Sequence, residues 1–144
     1  MHRSNIKRLA ALCLVSVLAG ASQSAPAGTT PADAIVVQLL TEQLADIAGK
    51  ELEVITVEYP PGGGSLPHRH DAYVIVYVLE GSVQMRIRGR ELVTLHAGQT
   101  FLERPEDVHE VSRNASATAP AKFLVVALKA SDKPLSRPVP AAAE

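Results

Sequence analysis

Residues 62–81 read Gly-Gly-Gly-Ser-Leu-Pro-His-Arg-His-Asp-Ala-Tyr-Val-Ile-Val-Tyr-Val-Leu-Glu-Gly. A glycine-rich break is followed by two histidines two positions apart, then by a nearly continuous apolar run, Tyr73 to Glu80, closed by Gly81. Side chains two apart on a strand project to the same face, so His68 and His70 form a ready pair of nitrogen ligands. The run after them reads as a strand covered on both faces, and Gly81 as the turn that ends it.

Working outward, the same strand-and-turn rhythm continues in both directions. Glu51 to Tyr59 alternates, with Leu52, Val54, Thr56 and Glu58 on one side and Glu53, Ile55, Val57 and Tyr59 on the other. Pro60-Pro61-Gly62 stops it. After Gly81 come Val83 to Arg88, Leu92 to Leu95, Thr100 to Glu103, Val108 to Arg113 and Phe123 to Leu128. Many short strands with turn residues between them predict an all-β sandwich or barrel. Ala34 to Leu40 fits a helix or a strand equally by pattern, and Thr41 to Ile47 reads as one or two short helical turns before Gly49. The stretch from Ser131 carries Pro134, Pro138 and Pro140 and is expected to be disordered or to lie along the surface.

The chain of 144 residues suffices for a single domain with a core, and its 47% hydrophobic and 20% charged composition is that of a globular protein. Trp is absent and aromatics make up only 3%, which argues against a base-stacking nucleic-acid binder. His2, Arg3, Lys7 and Arg8, the apolar run Leu9 to Leu18, and Ala19-Gly20-Ala21 match a secretory signal peptide cut after residue 21. Its removal takes the formal charge from -1 to -4 and discards Cys13, the only cysteine. The mature chain then has no thiol, so any metal must be held by nitrogen and oxygen. The expected organisation is a signal at 1–21, a flexible leader at 22–33, a barrel at 34–130 and a Pro-rich tail at 131–144. The expected location is outside the cytoplasm, periplasmic or secreted, with no membrane attachment after cleavage and no nucleic-acid partner.

Gly62, His68, His70 and Gly81, followed by Gly98 and His109, resemble the two motifs of the cupin superfamily. The first motif reads G-x5-H-x-H-x(3,4)-E-x6-G, and the second G-x5-P-x-G-x2-H-x3-N. The sixteen residues between Gly81 and Gly98 suit the linker of a single-domain cupin. The resemblance covers Glu51 to Leu128 and implies a double-stranded β-helix, or jelly-roll barrel, with a divalent metal on His68, His70 and His109. It also implies pairing into a homodimer, with Ala34 to Leu40 as the candidate exchanged segment.

Three departures set this chain apart. Val74 stands where the first motif has its glutamate, and Ile75 at the other permitted spacing does not restore it. Pro105 arrives one residue late, with Asp107 where a glycine is usual. Asn114 is also one residue late. The chain is thereby similar to three-histidine cupin dioxygenases such as those that cleave β-diketones. These imply an outer-shell glutamate and arginine, and Glu103 and Arg86 are the positions that would match. Glu103 is read as an interior carboxylate that ligates the metal or orients a ligand; the alternative is an exposed acid paired with Arg104 or Arg113. Arg86 stands between that role and a solvated face shared with Gln84 and Arg88. His96 is expected at the surface, and Tyr59, Tyr73 and Tyr77 in packing roles.

Nitrogen ligands suit Fe(II), Mn, Ni, Zn or Cu. Two functions follow from the resemblance: a metal-dependent oxygenase acting on a small oxygen-rich substrate, or a non-catalytic cupin that binds a small ligand or the metal.

Overall fold

The computed structural model describes residues 33–140. The signal segment 1–21, almost all of the leader and residues 141–144 of the tail fall outside that range. Eleven strands make up the described part: β1 (Ile35–Gln43), β2 (Lys50–Tyr59), β3 (Gly64–Ser65), β4 (His68–Arg69), β5 (Tyr73–Glu80), β6 (Ser82–Ile87), β7 (Val93–His96), β8 (Thr100–Glu103), β9 (His109–Asn114), β10 (Ala121–Ala130) and β11 (Arg137–Pro138). The pairings are all antiparallel. A five-stranded sheet runs β1-β2-β10-β5-β8, and a six-stranded sheet runs β11-β4-β9-β6-β7 with β3 paired to β9. This is the expected all-β jelly roll, with the core between the two sheets.

Alternation along the strands decides what faces inward. Ile55, Val57 and Tyr59 of β2 lie opposite Val125, Phe123 and Ala121 of β10, and all six are buried. Val74, Val76 and Val78 of β5 continue that inner surface, and Val83, Met85 and Ile87 of β6 face it from the other sheet. With only two Phe and no Trp in the chain, β-branched residues supply half of this core. Such residues suit a pleated, half-buried surface.

Two expectations are corrected. Thr41 to Gln43 continue β1 rather than starting a helical turn, because the segment pairs residue by residue with Glu51 to Glu53. Strand β5 is buried on one face only: Tyr73, Ile75, Tyr77 and Leu79 point away from the core and are exposed. A continuous apolar run does not by itself say that both faces are covered. Of the two expectations for the Pro-rich tail, the surface-lying one holds: residues 131–140 are mostly exposed and form β11, which pairs Arg137 with Arg69 and Pro138 with His68.

Candidate metal centre

Strand β4 and the start of β9 bring the histidines together. His68 and His109 are cross-strand partners, and His70 follows β4 by one residue. Asp71 then turns the chain sharply in the left-handed region, φ 51°, which aspartate tolerates better than most residues. Ion pairs from Arg69 (2.7 Å) and Arg137 (2.5 Å) hold the Asp71 carboxylate there. The ring centroids of His68 lie 4.8 Å from His70 and 5.1 Å from His109. One ring nitrogen from each of the three lies within 4.8 Å of the others. Phe101 stacks on the His109 ring at 5.8 Å and walls that side.

The hydrogen bonds orient the rings. A carbonyl oxygen only accepts, so His68 Nδ1 donates to Leu66 (2.8 Å) and His70 Nδ1 donates to Leu135 (2.9 Å). His109 Nδ1 lies 3.2 Å from Glu103 Oε2. His68 and His70 therefore have Nδ1 engaged and the Nε2 lone pair available, and Nδ1 of His109 sits beside the Glu103 carboxylate as an ion-pair neighbour. Burial, then the neighbouring His109 and His70, outweighs the Leu66 hydrogen bond and pushes the His68 pKa down to about 4, so its neutral, ligating form persists.

Glu103 is buried, as the interior reading expects. Its strand position explains why: Glu103 is the cross-strand partner of Val74 in the β5–β8 pair. The carboxylate missing from position 74 thus enters from the adjacent strand at the same level. Burial would raise the Glu103 carboxyl. The His109 hydrogen bond and the charges of the three imidazoles overcome this and hold it below the usual carboxylate range. Its Oε2 also lies 3.6 Å from His70 Nε2, so two lone-pair-bearing atoms face each other at short range. Both ring nitrogens of His109 are buried without an aligned hydrogen-bond partner among the described residues. A cation between these atoms satisfies both features, and the nitrogen-and-oxygen donor set fits a divalent transition metal. Arrangements of this kind, in which a carboxylate receives the second ring N–H of a ligating histidine, fix ring orientation.

Arg86 does not join the site. Val83, Met85 and Ile87 take the inner face of β6, and Arg86 lies on the outer face, where Nε is 3.1 Å from Glu110. The arginine assignment fails for the simple reason that 86 has the wrong parity on its strand. His96 is exposed at the end of β7, as expected. Asn114 is structural: its amide donates to the carbonyls of Tyr59, Pro60 and Ala119.

Two features were not anticipated as site residues. Tyr59, placed among packing residues, carries its hydroxyl to Ser65 (2.5 Å) and Ser112 (2.8 Å), and all three line the cavity beside the histidines. The signal for it was available: a buried Tyr usually needs a partner for its hydroxyl. Leu135, Ser136 and Pro138 of the tail also line the cavity, a placement no periodicity announces. The cavity holds about 340 Å³ and is mostly apolar, walled by residues such as Val36, Val57, Val76 and Phe123. Among the described residues no Lys or Arg lines it, and Glu103 is the only carboxylate that does.

A family profile described as cupin domain matches residues 55–127. Among solved structures, a cupin-like protein from Thermotoga maritima superposes with TM-score 0.61 at 20% identity, over 77% of this chain and 79% of that one. The polyketide cyclase RemF from Streptomyces resistomycificus gives TM-score 0.58 at 23% identity, over 78% and 75%. The DMSP lyase DddQ from Ruegeria pomeroyi gives TM-score 0.55 at 20% identity; the match covers 65% of this chain but only 45% of the lyase. No functionally curated protein matches the chain. At these identities the structural likenesses establish the fold.

Proposed function

The chain belongs to the cupin domain family, and on that premise we propose that it is an exported metal-dependent enzyme of oxygenase type. Its substrate is a small molecule that reaches the metal through oxygen donors. The observation that carries this reading is the convergence of His68, His70, His109 and the buried Glu103 on one point that no side-chain cation occupies. A divalent metal held there would supply Lewis acidity and, when redox-active, the means to use dioxygen.

The protein's own groups have separate tasks. Glu103 holds the His109 ring in place and lowers the net charge of the centre. The Tyr59 hydroxyl, braced by Ser65 and Ser112, offers a hydrogen bond to a substrate oxygen away from the histidines. The Val36, Val57, Val76 and Phe123 walls exclude water and select an apolar body. The substrate is thus oxygen-bearing at one end and largely apolar elsewhere, a narrower class than oxygen-rich molecules in general. Two structural neighbours, a polyketide cyclase and a DMSP lyase by name, act on small organic molecules and are compatible with this class. Export rests on the basic start, the apolar run and the Ala19-Gly20-Ala21 site; N-terminal sequencing of the mature protein is expected to begin at Ser22.

A second reading, ligand or metal binding without turnover, is favoured by the outward position of Arg86. Among the described residues it leaves no arginine in the cavity to stabilise developing negative charge. Oxygen uptake by the Fe(II)-loaded protein with a panel of β-diketones and phenolics separates the two. Consumption above the His68→Ala/His70→Ala control supports the enzyme, and none across the panel leaves the binding reading.

A further inference from the structure

We propose that the C-terminal tail is the specificity-determining wall of the cavity, with Leu135 as its central residue. Through its carbonyl, Leu135 also positions His70. This inference rests on the metal-site reading above and assigns selectivity within that site.

The tail is tied down along its length. Lys129 Nζ donates to the Lys133 carbonyl (2.6 Å) at the turn after β10. Leu135 then crosses beside the histidines, half-buried against the core, with its carbonyl 2.9 Å from His70 Nδ1. Arg137 grips Asp71, the residue that redirects the chain after His70. Beyond it, Val139 N donates to Pro67 (3.1 Å) and Arg88 donates to the Pro140 carbonyl (2.8 Å). The segment therefore closes over the site between two anchored ends, and its Leu135 and Pro138 side chains face the same space as the imidazoles. A ligand whose oxygen end lies at the histidines has its apolar body bounded by Leu135. Because Leu135 lies in the connection between β10 and β11 and not on a strand, its side chain can change without altering the strand pairing.

The test uses Co(II)-loaded full-length protein, titrated with acetylacetone and with the bulkier dibenzoylmethane while the visible spectrum is followed. Leu135→Ala, which removes three side-chain carbons, is expected to tighten dibenzoylmethane at least about tenfold, the low end of what one methylene is worth in an apolar pocket, and to leave acetylacetone within about twofold. An unchanged ratio between the two ligands overturns the wall assignment. Positioning is tested on the metal-free protein by the ¹⁵N-detected tautomer of His70. The wild type is expected to carry its proton on Nδ1, and a variant ending at Ser131 to lose that preference. Arg137→Ala is the second variant should the truncation fail to fold, and it is expected to weaken the same preference. Retention of the Nδ1–H tautomer in the folded variants overturns the positioning role. Absence of Co(II) binding to the wild type would sink the metal reading, whereas the tautomer measurement still decides the tail.

Discussion

Two clusters of ionisable side chains among the described residues reach into the barrel, and they differ in one respect. On the inner side of the β2–β10 pair, Lys129 lies 2.5 Å from Glu51 and 3.7 Å from Glu53, and Gln43 donates to Glu51. Lys129 and Glu51 are cross-strand partners, so the sheet register itself builds the pair. This cluster carries its own cation, and Lys129 spends its remaining donors on the carbonyls of Ala130 and Lys133. The second cluster, His68, His70, His109 and Glu103, has a buried carboxylate, three clustered imidazoles and two orphaned His109 nitrogens, but no Lys or Arg among the described residues. Burying a charge is tolerated when it is paired. The first cluster is complete as folded, and the second is complete only with a cation from solution.

That difference orders the expected effects. Lys129→Ala strands two carboxylates and should cost about 3–5 kcal/mol, read as a fall in urea midpoint, with metal content of the folded fraction unchanged. A loss much below 1 kcal/mol would break the contrast, because the first cluster would then not depend on its cation. Next, Glu103→Gln should weaken Co(II) binding about 10- to 100-fold by titration while His68→Ala/His70→Ala abolishes it. Equal, complete loss in both would make Glu103 a ligand on a par with the histidines. Without metal, His68 protonates near 6.5 when unfolded but only near 4 when folded. The unfolded state then binds the extra proton between those values, so the stability of the metal-free protein falls as pH drops through that window and rises as pH increases. Urea midpoints on either side of the window check this, and a midpoint that climbs on acidification contradicts the burial of His68. The smallest effect belongs to Arg86→Ala, expected within roughly 0.5 kcal/mol in stability and without effect on metal affinity. A changed metal affinity there would reopen a link between the charged outer face and the site.

Much of the fold was legible because it rests on local chemistry. Gly81, at φ 71°, would drive a Cβ to within 2.6 Å of the Pro120 carbonyl, so the turn it marks tolerates little else. The alternation in β2 and β6 set which side chains point inward before any contact was known. The histidine triplet was legible through motif spacing, and Glu103 through its alternation with Phe101. Parity also had the means to exclude Arg86, since Val83, Met85 and Ile87 claim the inner face, yet the family pattern suggested it. Tyr59 was visible but under-read. The outward apolar face of β5 was not legible, because an unbroken hydrophobic run looks the same whether one face or two are covered.

By itself, the sequence determined the strand-and-turn order, the inward-facing rows and the three imidazoles, since these follow from side-chain alternation, glycine conformation and residue spacing. Only the tertiary structure decided that Glu103 stands beside Val74, that Leu135 returns from the tail to hold His70, and that Lys129 meets Glu51. Each joins residues far apart in the chain through strand register and closure of the barrel. Register is a cooperative property of paired strands and is written in no single segment.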